Sequence, residues 1–435
     1  MTKKLAPEKK SCRCLCVVSK SYLTGIALFL SLPFISSCCQ PTKTHKQSIT
    51  VAINKSQQRQ QPLQQQAQHL KSSNSNLFDF GEFRLINLLQ NPADNAHILQ
   101  LGDSHTAADF FTGALRDQIQ QRYGNAGPGW LPPAWIRGQR SATLKLDTAH
   151  AKNWQLISSR LAEHNNFPLG GFLLQPLKKG GQLRLSQYSN DVRFFNVRML
   201  YQSPKEVAIS LNQRTVMLAP QADWQWSPAQ SVQLPLNLEV HDQHFPQLGG
   251  WFVDNGRPGI LFSSLGINGA TINMLDKWGS NWHSALQALH PDLVILAYGT
   301  NEAFNNELNT DLYYQDLTRH VRQLREKQPQ TALLIIGTPD AIKQPLARNC
   351  QAQRPIQLTK VQAIQRQVAQ EQQTLYWDWQ AMMGGACSFT TWQAKGLAQK
   401  DGVHFTSEGY KLSAQALYQD LQQLLTDLTQ SNLKQ

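Results

Sequence analysis

The sequence predicts an α/β fold in which a parallel sheet with helices on both faces is interrupted by an antiparallel β-sandwich. Three observations carry this. AHILQL at 96–101 is a short apolar run, and LVILAY at 293–298 is a continuous one of the sort found in strands buried on both faces of a parallel sheet. The first leads into a segment in which Phe110, Phe111, Leu115 and Ile119 recur at helical spacing. Between 141 and 255 this alternation gives way to short period-two runs, among them GQLRLSQY, VRFFNVRML and QSVQLPLNLEV. Gly, Pro, Asn and Asp separate them, as in all-β sandwiches.

The elements follow in order. A chain of 435 residues suits two domains plus tails. With 41% hydrophobic residues it can build substantial cores, which excludes global disorder. Residues 1–37 hold six basic side chains and one acid, so removing them lowers the net charge from +12 to about +7. A basic surface of that size suits anionic partners such as cell-wall polymers or lipid headgroups, or is simply solvated. No nucleic-acid-binding motif accompanies it.

The apolar stretch at 22–34, YLTGIALFLSLPF, is short for a membrane span. The residues after it, Ile35-Ser36-Ser37-Cys38, resemble the end of a bacterial lipoprotein signal, in which small residues precede a lipidated cysteine. Ile35 stands where Leu is commoner, and a conventional signal peptide or an uncleaved anchor are the other readings. In each case the chain leaves the cytoplasm. The expectation is signal peptide over 1–37 and lipid on Cys38. Residues 38–75, rich in Gln and Ser, read as a tether that cannot bury enough apolar surface to order itself. Cys350 and Cys387 are then the remaining pair in the folded part. A disulfide fits an oxidising compartment, two separate buried thiols being the alternative.

The folded part divides into 76–140, an insert over 141–255, and 256–430. In the last segment strands are expected at 258–264, 293–298, 332–336 and 375–377. Helices are expected at 270–289, 311–327, 355–372 and 406–428.

Four loops carry chemistry. Gly102-Asp103-Ser104-His105 follows the first strand, at the sheet edge where α/β folds gather ligands. Alone, a serine there also reads as a helix cap. Asp401-Gly402-Val403-His404 precedes the closing helix. Serine needs a base to take its proton, and the imidazole needs a carboxylate to fix its tautomer. Gly269, in Gly266-Ile267-Asn268-Gly269, can offer an unobstructed backbone N–H, with Gly266 a rival for the role. Asn301, in Gly299-Thr300-Asn301-Glu302, can offer a side-chain amide to an oxyanion.

In this order the four blocks resemble the SGNH/GDSL hydrolases over 76–140 and 256–430. The resemblance implies a three-layer αβα sandwich, Ser104 as nucleophile, His404 as base, Asp401 as its partner, and Gly269 and Asn301 as oxyanion donors. Glu302 departs from the family's usual Asp, at a position that is structural in that scheme. The stretches GDSHTAADFFTG, RYGNAGPGW, GINGAT, YGTNEA and LAQKDGVHFTSEGY look like the peptidoglycan O-acetylesterases within that family. That likeness implies a serine carbohydrate esterase that removes O-acetyl groups from a cell-wall glycan, without metal or organic cofactor. It also implies an envelope location facing the periplasm, lipid-anchored at the outer membrane, and a carbohydrate-binding-like insert. Trp154, Trp224, Trp226 and Trp251 in that insert would then stack on sugars or sit in its core. An O-acetyltransferase with the same residues is the nearest alternative, and a non-catalytic glycan-binding lipoprotein is another. A metallophosphoesterase would need ligand-spaced histidines, which His97, His283, His290 and His320 do not form.

Overall fold

The structure, a computed structural model, describes residues 75–86, 88, 95–149, 151–188, 193–241 and 246–432. The signal segment, Cys38 and nearly all of the tether lie outside the described residues. The chain enters the fold with strand β1 (Leu77–Asp79), then β2 (Ala96–Gly102), the short helix α1 (Ser104–Ala107), helix α2 (Phe111–Tyr123) and β3 (Asn125–Gly127). An all-β stretch follows: β4 (Gly129–Leu131), β5 (Leu144–Ala149), β6 (Trp154–Ser158), β7 (Phe172–Pro176), β8 (Gln182–Gln187) and β9 (Phe194–Ser203). It continues through β10 (Val207–Leu211), β11 (Arg214–Leu218), β12 (Gln221–Trp226), β13 (Gln230–Gln233), β14 (Leu236–Val240) and β15 (Gln247–Asp254). The α/β pattern then resumes with β16 (Ile260–Gly266), α3 (Trp282–Gln287), β17 (Leu293–Ala297), α4 (Thr300–Phe304), α5 (Thr310–Lys327) and β18 (Ala332–Ile336). Helices α6 (Cys350–Gln353) and α7 (Leu358–Glu371), β19 (Leu375–Trp377), α8 (Trp379–Met383), α9 (Ser388–Ala394) and α10 (Ser407–Asn432) complete it.

The central sheet runs β1-β19-β18-β17-β2-β16-β3. All its pairs are parallel except β1 on β19. Alternate residues of the buried β17 serve opposite faces. Leu293, Ile295 and Ala297 pack with α2 and α10 residues such as Phe111 and Leu417, while Val294 and Leu296 pack with Leu317 and Val321 of α5 and Val361 of α7. Helix α5 shows why such segments are helical. Asn309 caps it by accepting from the N–H groups of Asp311 and Leu312, Tyr313, Leu317, Val321 and Leu324 form its buried stripe, and Arg325 and Lys327 suit its negative end.

The insert is two antiparallel sheets, β11-β10-β14-β8-β5 and β12-β9-β15-β7-β6, with β13 added on β9 and β4 on β15. Between them lies a core that includes Leu146, Trp154, Leu185, Val197, Leu238 and Trp251. Trp154, Trp224 and Trp251 are buried. Half-buried Trp226 donates its indole N–H to Ala285 O at 2.9 Å. All four therefore serve packing.

Two local differences from the sequence expectation have physical causes. The helix expected over 270–289 is split into a 3-10 turn at Ile272–Lys277 and α3. Between them the backbone leaves the helix to meet the insert: Phe167 N–H donates to Lys277 O at 3.1 Å, and Gly279 N–H to Phe167 O at 2.7 Å. β4, which lies before residue 141, pairs with β15, because the chain crosses into the sandwich immediately after β3.

Glu82, fully buried, ties the N-terminal segment to the sheet. Its carboxylate pairs with Arg325 and accepts the Leu333 N–H at 3.0 Å. Removing one partner of such a pair leaves a desolvated charge without compensation. Glu82→Ala is expected to lower unfolding free energy by about 3 kcal/mol, read as the shift in urea midpoint. An unchanged midpoint would contradict this role.

Candidate active site

The site is assembled at the carboxyl edge of the central sheet. β2 ends at Gly102, and Asp103 turns the chain into α1 by accepting the His105 N–H at 3.0 Å. Ser104 is the first residue of that helix and is half-buried. With only four residues, α1 contributes local N–H groups rather than a full helix dipole. Burial pushes the Asp103 carboxyl up to about 6, against hydrogen bonding from His105 and Thr300. His105 points inward and bonds through Nδ1 to the Tyr410 hydroxyl at 2.8 Å. Burial pulls its pKa down to about 3, with repulsion from His404 in the same direction, so it stays neutral near pH 7.

His404, 300 residues away in sequence, lies beside Ser104. Its Nε2 is 2.8 Å from Ser104 Oγ and its Nδ1 is 2.7 Å from Asp401 Oδ2. An ionised carboxylate can only accept, so Nδ1 carries the proton and Nε2 presents its lone pair to the hydroxyl. The other oxygen, Asp401 Oδ1, accepts the N–H groups of Val403 and His404, each at 2.9 Å. Partial burial pushes the Asp401 carboxyl up, but the Val403 N–H and the His404 ring and N–H outweigh it, and the net shift is downward. The loop is fastened from below, where Ile342 N–H donates to Gly402 O at 2.8 Å.

Two further loops close the site. β16 ends at Gly266, where a Cβ would lie 2.1 Å from Ala107 N, so this glycine serves the close approach of strand to α1. Gly269 sits in the cleft with φ +76°, a conformation that favours glycine. Asn301, at the start of α4 after β17, donates one amide hydrogen to Ala270 O at 2.8 Å. The amide's second hydrogen remains for a ligand. The next residue, buried Glu302, accepts the Ile272 N–H at 2.8 Å. Asn301 and Glu302 together therefore staple the loop carrying Gly269. Ser104, Asp401, His404, Gly269 and Asn301 all line one cleft of about 590 Å³.

Phe110, which the sequence marked only as part of a helical pattern, and Phe304, which it did not single out, also line this cleft. Cys350 and Cys387 are joined by a disulfide of Cα–Cα distance 5.6 Å between the starts of α6 and α9. His97 is fixed between Leu289 O at 2.9 Å and Ser263 Oγ at 2.7 Å, and His320 faces Asp276 at 3.3 Å. Among the described residues no group of three or more His, Cys, Asp or Glu side chains is placed to hold a metal ion.

With the αβα fold, a hydroxyl, imidazole and carboxylate bonded in series place the protein among the SGNH-type serine hydrolases. Residues 242–412 match the GDSL-like lipase/acylhydrolase family, and residues 126–237 match the peptidoglycan O-acetylesterase N-terminal family. A solved structure of a peptidoglycan O-acetylesterase is 36% identical with TM-score 0.74, covering 81% of this chain and 100% of its own. A putative GDSL-like lipase from Parabacteroides merdae is 19% identical with TM-score 0.31, over 38% of this chain and 74% of its own. An acetyl xylan esterase is 15% identical with TM-score 0.31, over 37% of this chain and 80% of its own. The comparison with curated proteins gives no match. The chain belongs to the peptidoglycan O-acetylesterase family of GDSL-like acylhydrolases. It is a serine esterase.

Glu302 makes the site's architecture sensitive to pH. Burial pushes its carboxyl from 4.5 up to about 7, reinforced by Asp103 and opposed by the Ile272 N–H. The native state thus keeps a proton that the unfolded chain releases, and stability present below pH 4.5 is lost as pH rises toward 7. Glu302→Gln should remove that slope, so its stability relative to wild type rises between pH 4.5 and 7. Asp103 gives a slope of the same sign that both proteins largely share. Parallel stability–pH curves would overturn this account.

Proposed function

We propose that the protein removes O-acetyl groups from a cell-wall glycan, most specifically O-acetylated peptidoglycan, through an acetyl-enzyme on Ser104. The observation that carries this is the continuous Ser104–His404–Asp401 hydrogen-bond chain in the cleft that also holds Asn301. Ser104 Oγ attacks the acetyl carbonyl while His404 Nε2 takes its proton, and Asp401 stabilises the imidazolium. The N–H groups of Ser104 and Gly269 and the free amide hydrogen of Asn301 receive the oxyanion. As the intermediate collapses, the ester C–O bond breaks and His404 returns the proton to the sugar oxygen. Water, activated by His404, then attacks the acetyl carbonyl, and acetate leaves as Ser104 Oγ is reprotonated. The reading needs no metal or organic cofactor. The family's action on a wall polymer supports a place in the cell envelope, and the Cys38 motif supports lipid anchorage facing the periplasm.

Acetate release from an aryl acetate and from O-acetylated peptidoglycan tests the chemistry. Ser104→Ala should abolish both, a chelator should change neither, and Asn301→Ala should lower turnover by about 10²–10³. Activity in Ser104→Ala would sink the mechanism. Net appearance of acetyl groups on bare glycan supplied alongside would make the protein a transferase instead.

The anchor has its own test in cells given labelled palmitate. Label should enter the wild type and vanish in Cys38→Ala, whereas equal labelling rejects lipidation at that residue.

A further inference from the structure

An arginine of the insert lies against Gly269, one of the residues that line the esterase cleft. Arg160 follows β6, and its guanidinium lies against Gly269, where an added Cβ would stand 2.4 Å from Nε and 2.9 Å from Nη2. The turn that carries it is fixed. Leu161 and Ala162 N–H groups both donate to Ser158 O at 3.0 Å, and Ser159 N–H donates to Gly171 O at 2.9 Å. Lys277, from the hydrolase domain, donates to Ala162 O at 2.8 Å, and Phe167 bridges to Trp278. The same stretch of hydrolase chain thus carries Gly269 at one end and anchors the Arg160 turn at the other.

The guanidinium itself is uncompensated. It makes no ion pair, side-chain hydrogen bond or ring contact among the described residues, and Arg160 is exposed to solvent. The one carboxylate that lines the cleft, Asp401, is committed to His404. An open, unpaired guanidinium carried on a held turn is a fork for a ligand carboxylate, since its planar donors match that group in a bidentate pair.

We propose that Arg160 is a specificity residue, binding a carboxylate of the substrate glycan and so holding the acetylated sugar beside Gly269. This rests on the glycan reading above and adds to it the substrate's charge: acidic glycan strands, with carboxylates on their peptide or lactyl substituents, are preferred over neutral ones.

Wild type, Arg160→Ala and Arg160→Lys are compared on three substrates: O-acetylated peptidoglycan, the same polymer with its carboxylates amidated, and an aryl acetate. The readout is the ratio of kcat/KM on acidic glycan to kcat/KM on amidated glycan, which is independent of the fraction of folded enzyme. The ratio should fall about tenfold in Arg160→Ala, through KM, with partial recovery in Arg160→Lys. A ratio near one in the wild type, or one unchanged by Arg160→Ala, overturns the proposal. So does an equal loss of kcat on all three substrates, which would assign the guanidinium to the oxyanion. Aryl acetate cleavage by a wild type inert on both glycan forms is a different pattern, and it sinks the glycan reading itself.

Discussion

The register of three adjacent parallel strands is the constraint on which the site depends. β2 pairs with β16 on one side and β17 on the other, so that Gly102 stands level with Gly266 and with Ala297. The loops leaving those strands begin side by side, and they carry Ser104, Gly269 and Asn301. Between β2 and its two neighbours the chain moves in opposite directions across the sheet, leaving a crevice of the kind α/β folds use for ligands. A slip of one residue in either pair would also turn the alternating faces of a buried strand the wrong way. The apolar contacts that hold the core therefore also hold the alignment of the chemical groups.

Strand register alone aligns loops only coarsely. The finer positioning comes from hydrogen bonds between loops: Asn301 to Ala270 O, Glu302 to the Ile272 N–H, and Ile342 to Gly402 O. Each joins a loop of one block to a segment that a different strand positions. The Glu302 side chain reaches the Ile272 N–H, and its burial raises the cost of ionising it. The same burial that makes this contact specific also makes it responsive to protons.

Much of the fold was legible because local signals agreed with it. The runs at β17 and β18 are apolar without interruption, the one at β2 is broken only by His97 and Gln100, and all three are inner strands of the sheet. The four-block order likewise pointed to loops that share one cleft. What the sequence concealed was decided by tertiary competition. The helical pattern after residue 270 breaks where Lys277 O and the Gly279 N–H bond Phe167 instead of partners along a continuing helix. β1 and β4 are three residues each, too short to show a period, and exist only because β19 and β15 present partners. Arg160 had no signal at all: it lies 109 positions before Gly269 and belongs to no motif.

That last case bears on what the insert is. A module hung on a flexible linker would keep its tryptophans for its own core or for a ligand. Here Trp224 joins the hydrolase core cluster, Asn281 donates to its carbonyl at 2.8 Å, and Trp226 bonds Ala285 across the seam. Buried indoles with satisfied N–H groups are costly to expose, so the two parts gain stability by staying docked. The seam includes the Lys277–Ala162 bond, within the stretch that continues back to Gly269. Glycine at 269 thus answers two demands, a positive φ and room for the guanidinium. A side chain there would strain the loop and displace Arg160, because one residue belongs at once to the cleft that Ser104 lines and to the face that meets the insert.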